Sequence, residues 1–159
     1  MKRLFLPFLL TLAAICSGCV TAPAIPEGYS GPIATVNDST MSETYNRAQF
    51  YYLGEIDGRR IDNVLFKTRQ QNSGKGFSLA TSQYSRQVPA GLRQLKLQAK
   101  IGYGAPIQEI LNSSTVYEVE KTISVTLESN KTYVVKGKLS AEEKSVWLEE
   151  SDTGKRIEP

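Results

Sequence analysis

The chain has 159 residues, with 19 Lys and Arg against 16 Asp and Glu, and its net charge of +3 is too small to steer it toward nucleic acid. It contains no histidine, which excludes Ser-His-Asp and Cys-His catalysis and any metal site built on His; its two cysteines, Cys16 and Cys19, are too few for a Cys-only zinc site. A hard-cation site would need carboxylates, and no Asp-x-Asp-x-Asp-Gly loop is present, so no metal and no cofactor is expected.

Lys2 and Arg3 precede an uncharged apolar run of 12 residues, Leu4 to Ile15, followed by Cys16-Ser17-Gly18-Cys19. A basic start, a short apolar run and small residues at its end are the layout of a secretory signal. A membrane-spanning helix needs about 20 apolar residues, and Pro7 interrupts this run. The ending resembles a bacterial lipobox, with Ser17 and Gly18 at the small positions, Cys16 where Leu is usual, and Cys19 as acceptor. The resemblance implies removal of residues 1–18 and a lipid anchor on Cys19. Val20 after the acceptor resembles the outer-membrane sorting default of Gram-negative lipoproteins. Cleavage would leave 141 residues with 17 basic and 16 acidic side chains, and one cysteine that is itself the acceptor, so no disulfide within the domain.

Residues 19–32 then read as the lipidated cysteine and a flexible tether. Pro23, Pro26, Pro32, Gly28 and Gly31 keep the segment extended and too poor in apolar residues to form an element. From Ile33 to the C-terminus the pattern is strand and turn. Ile33 to Val36 is a short strand ended by Asn37-Asp38-Ser39, and Thr40 to Arg47 is polar and ambiguous. Gln49 to Ile56 is a strand, closed by the hairpin signal Asp57-Gly58. Residues 59–71 admit either strand or helix. A brief strand followed by one or two helical turns is expected, with Asp62 as N-cap and Gly74 as the stop.

Phe77 to Val88 reads as a strand with a polar middle, and Pro89-Ala90-Gly91 as a turn. Leu92 to Ile101 alternates, with Leu95, Leu97, Ala99 and Ile101 inward and Lys96, Gln98 and Lys100 outward. Gly102 to Ser114 is a long loop in which Ile107, Ile110 and Leu111 suggest a small packed turn. Val116 to Leu127, Lys131 to Leu139 and Ser145 to Glu150 are further strands. Lys121 interrupts the inner row of the first, which places it near an edge or bulge. Asp152-Thr153-Gly154 is a last hairpin turn. Strands with turn signals every 8–12 residues predict an all-β domain, an antiparallel β-sandwich of seven or eight strands with at most one short helix, over residues 33–159.

Two stretches carry a family resemblance. Val88-Pro89-Ala90-Gly91-Leu92 before Leu95 and Leu97, together with Val125-Thr126-Leu127, Asn130 to Val135, Val146 to Glu149 and Asp152-Thr153-Gly154, resembles immunoglobulin-like and transthyretin-like envelope domains. The middle, with Tyr52, Glu55 to Gly58 and Thr68-Arg69 up to Gly74-Lys75-Gly76-Phe77, is similar to small outer-envelope lipoproteins of Gram-negative bacteria. The resemblance implies location and fold but no activity and no site residues.

Among candidate sites, Glu149, Glu150 and Asp152 form the densest acidic cluster, but on one strand end and its turn, not across a cleft as a glycosidase pair requires. Thr68-Arg69 through Lys75 has the glycines and charge of an anion loop without the P-loop pattern. Phe50, Tyr51, Tyr52, Tyr84, Tyr103, Tyr117, Tyr133 and Trp147 supply aromatic surface. Alternation forces one of Tyr51 and Tyr52 outward, so Tyr51, Tyr52, Arg47 and Trp147 are the expected interaction surface. The expected function is that of a non-catalytic, membrane-anchored lipoprotein of the bacterial outer membrane, facing the periplasm or the cell surface, which acts as a structural or protein-interaction module with an envelope protein as partner. The alternative is a glycan- or peptidoglycan-binding module. No nucleic-acid partner is expected.

Overall fold

The computed structural model describes residues 21–115 and 117–157; the signal segment and Cys19 lie outside the described residues. In chain order the strands are β1 (Ile33–Asn37), β2 (Ser39–Met41), β3 (Arg47–Ile56), β4 (Arg59–Arg60), β5 (Ser85–Pro89), β6 (Gly91–Tyr103), β7 (Glu118–Leu127), β8 (Thr132–Leu139), β9 (Lys144–Glu150) and β10 (Arg156–Ile157). Helix α1 (Val64–Asn72) follows β4, and helix α2 (Pro106–Leu111) and a 3-10 turn (Ser113–Thr115) follow β6.

Two sheets face each other. One has the order β10-β9-β8-β1-β5, the other β2-β3-β6-β7 with β4 continuing the β2 side of β3. Pairing is antiparallel except between β1 and β8, which run parallel. The fold is thus an all-β sandwich, with more strands than the turn spacing suggests because β2, β4 and β10 are only two or three residues long. The alternation of β6 is as its sequence predicts: Leu95, Leu97, Ala99 and Ile101 fill the core against Tyr133, Val135, Val146 and Leu148 of the other sheet. Lys121 lies on the edge strand β7, where a charge in the inner row discourages pairing with another sheet. Asp57 and Gly58 have φ of 50° and 74°, the paired left-handed conformation of a tight hairpin, and join β3 to β4.

The segments without a strong period depart most from expectation. The helical stretch runs nine residues, and Asn63, not Asp62, caps it by accepting from Phe66 N at 3.0 Å. Asp62 instead pairs with Lys67 at 2.8 Å. Residues 77–84 are irregular, so the strand expected from Phe77 starts only at Ser85. Here side chains of α1 replace a sheet partner: Asn72 bonds both Ala80 N and Ala80 O, and Thr68 Oγ1 accepts from Ser82 N. A second short helix, α2, stands where a loop is expected.

The segment read as a flexible tether is docked from Thr21 onward. Ala22 forms a parallel bridge with Ile61, with Ala22 N donating to Arg60 O at 2.8 Å. Thr21 Oγ1 donates to Asp62 at 2.7 Å, Arg59 donates to Pro23 O and Ala24 O, and Ala24 packs on the core. Prolines remove N–H donors but leave carbonyls, and the extended backbone they favour is suited to lie along a sheet edge as an acceptor.

The buried polar centre is Asp38, between β1 in one sheet and β2 in the other. Its carboxylate accepts from Leu53 N at 3.0 Å and Val64 N at 2.8 Å and pairs with Arg86, whose guanidinium lies 4.7 Å from the Tyr84 ring centroid. One side chain thereby ties together β3, the start of α1 and β5. Residues 37–39 do end a strand, but Asp38 there is an ion-paired hub and not a solvated turn.

Candidate interaction surface

The sheet end at which β3 begins and β6 finishes gathers the largest apolar exposure. Gly104, after β6, donates its N–H to Asn46 O at 2.9 Å, and a Cβ there would sit 2.4 Å from Phe77 O, so the 77–78 backbone lies directly on it. Tyr45 O accepts from Leu79 N at 2.8 Å, which fixes the neighbouring loop. Pro106 then opens α2 at its first position, where a missing N–H costs nothing. Gln108 turns inward, accepts from Ala105 N through Oε1, and is buried. Ile107, Ile110 and Leu111, spaced i, i+3, i+4, share the opposite face and are 48%, 69% and 76% exposed. Tyr45 and Phe77 are exposed at the same end. A polar residue inside and three aliphatic residues outside invert the usual helix pattern, and such patches mark binding surfaces. The expected packed turn is therefore corrected: among the described residues, none of the three joins either apolar core cluster.

Beside α2 a cleft of about 550 Å³ runs between Arg69, Asn72, Tyr103 and Pro106. Arg69 spans it in an ion pair with Glu109 of α2. Thr68 is fully buried, so the proposed anion loop does not converge: its hydroxyl and its arginine are already engaged.

The residues chosen from sequence are scattered. Tyr51 is fully buried in the main core and donates its hydroxyl to Gln49 at 2.6 Å. Tyr52, on the opposite face of β3, is also buried, in a second apolar cluster with Phe50, Ala48, Val64 and Leu65. Alternation did separate the two rings; helix α1 covers the face on which solvent was expected. Burial pushes the Tyr52 hydroxyl up to about 12. Arg47 is exposed, at the α2 end of β3. Trp147 is half-buried on the outer face of β9, on the side of that sheet away from Tyr51 and the core. The Arg156 guanidinium lies 3.6 Å from its ring centroid, and its Nε1–H donates to Glu149 at 2.8 Å. Since Tyr51, Tyr52 and Tyr103 are buried and Arg156 occupies the Trp147 face, these four rings form no platform for a sugar. Two members of the acidic cluster are likewise ion-paired, Glu149 with Lys136 and Glu150 with Lys131.

No family model matches this chain, and neither a curated protein nor a solved structure matches it.

The Trp147 cluster supplies a pH reporter, because this is the only tryptophan in the chain. The ammonium of Lys136, and then the indole N–H, hold the Glu149 carboxyl below its ordinary value. A depressed folded-state value means that this contribution to stability is present above the ordinary glutamate range and is lost as pH falls through the lowered one. Trp fluorescence is expected to show an acid transition with its midpoint below the ordinary glutamate range. Lys136→Met should raise that midpoint; an unchanged midpoint would contradict the assignment.

Proposed function

We propose that this protein is an outer-membrane lipoprotein of the Gram-negative envelope, anchored through an acylated Cys19, that acts without catalysis by docking a second envelope protein on helix α2. The anchor rests on the Lys2-Arg3 start, the apolar run and the Ser17-Gly18-Cys19 ending. The docking role rests on one observation, the outward aliphatic face of Ile107, Ile110 and Leu111. A partner surface of matching apolar character removes that area from water at about 25 cal/mol per Å².

The test uses the processed lipoprotein, solubilised in detergent and captured from its own envelope. A partner should be recovered with it and lost when Ile110→Asp and Leu111→Asp are combined, while the thermal melting curve stays in place, since neither side chain packs in the core. Recovery of the same partner by the double variant would remove α2 as the docking face. Cys19→Ala should move the protein from the membrane to the soluble fraction, and retention in the membrane would contradict acylation at that residue.

A further inference from the structure

The docked N-terminal segment has a consequence for orientation that depends on the acylated Cys19 proposed above. A lipoprotein domain on a long flexible tether samples every orientation. Here Ala22 is fixed to Ile61, and only two residues, Val20 and Thr21, separate Ala22 from Cys19. Three extended steps along the chain reach at most about 11 Å, so the acyl attachment point stays within that distance of Ala22, which lies beside Ile61 between β4 and α1.

The side chains around this point suit an anionic lipid surface. Arg60 is exposed on β4; Lys67 is half-buried in the first turns of α1, and its pairing with Asp62 leaves the three-residue set net basic. Phe66 is 47% exposed between them, with Lys67 Nζ 5.6 Å from its ring centroid. Leu92, at the start of β6 and two residues before Gln94, whose N–H donates to Asp57 of the hairpin, is 69% exposed. Basic residues with an exposed aromatic and an aliphatic side chain are what a headgroup layer accommodates. The α2 face lies farther along the sheet from β4, where the last turn of α1 meets it through the Arg69–Glu109 ion pair. Ile61 N donates to Gly54 O, whereas α2 leaves the sheet beside Arg47, seven residues back along β3. At about 3.3 Å per residue this is roughly 23 Å.

We infer that the domain is seated on the bilayer by β4 and the first turn of α1, with Arg60, Phe66 and Lys67 against the headgroups and the α2 face presented away from the membrane. The short docked leash then acts as an orienting clamp, which leaves the partner face free.

Purified acylated protein carrying Phe66→Cys or Ile110→Cys, added to preformed vesicles of phosphatidylethanolamine and phosphatidylglycerol, tests this. In each variant the introduced thiol is the only free one, since Cys19 is blocked by its thioether. On passing from detergent to vesicles, Phe66→Cys should lose reactivity toward a bulky membrane-impermeant maleimide, and Ile110→Cys should keep it. Adding Arg60→Glu and Lys67→Glu to Phe66→Cys should restore reactivity at residue 66. Protein that floats with the vesicles but reacts equally at both positions would overturn the seating while leaving the anchor intact. Protein that does not float would overturn the anchor, and the seating with it.

Discussion

Asp38→Ala is expected to lower stability by about 3–5 kcal/mol, the usual cost of removing one partner of a buried ion pair. For a domain of this size that corresponds to a fall in Tm of roughly 10–20 °C. The effect is large because three donors lose their acceptor at once: Leu53 N, Val64 N and the Arg86 guanidinium. Arg86 Nε and Nη1 already lack a hydrogen-bond partner, so the substitution would strand the whole buried group. Arg86→Met offers a control whose sign is different in pH. Burial pushes the Asp38 carboxyl up, and Arg86 and the two backbone N–H groups oppose that rise. Without Arg86 the folded-state value climbs further, and a raised carboxyl contributes stability that is lost as pH rises through it. Arg86→Met should therefore recover part of its lost stability on mild acidification, whereas Asp38→Ala should not. Chemical denaturation at pH 7 and pH 5 distinguishes the two. Equal pH profiles would show that the carboxylate does not carry the effect.

Tyr51→Ala should cost about 3–5 kcal/mol, as for a large aromatic removed from a closed core. Were Tyr51 the surface contact suggested by alternation, the cost would be within about 0.5 kcal/mol. The ring lies against Gly137 of β8, where an added Cβ would come within 2.6 Å of the ring and 2.3 Å of Ser145 O. Gly137→Ala should accordingly destabilise by about 1–3 kcal/mol, the range for overpacked cores. Combining it with Tyr51→Ala should not restore stability, because the second obstacle is backbone on the paired strand. A rescued double variant would mean that the ring alone makes Gly137 necessary. Equilibrium unfolding of the three variants measures each term.

The strands with strict alternation were legible. Period two in β6 and β8 states which residues face the core, since successive side chains on an extended chain point to opposite sides. The Asp57-Gly58 hairpin was legible for a similarly local reason: both residues tolerate positive φ. Tyr51 and Tyr52 show where such reading stops. Alternation separates their two faces, but it carries no information on α1, whose residues Val64 and Leu65 cover the face of Tyr52. The α2 surface had a usable signal in Pro106 followed by Ile107, Ile110 and Leu111, which together describe a helix start and one apolar stripe. Whether that stripe packs or faces solvent depends on which elements lie opposite it, and no spacing records that.

By itself the sequence determined the all-β class, the inner rows of the long strands and the Asp57-Gly58 hairpin turn. Each is a local property, set by backbone sterics or by adjacent residue types. The tertiary structure decided what joins residues far apart in the chain: the Asp38–Arg86 pair, the cover over Tyr52, the stacking of Arg156 on Trp147, and the bridge between Ala22 and Ile61. Such pairings depend on how the two sheets and α1 meet, where burial and charge pairing are settled between segments that share no period.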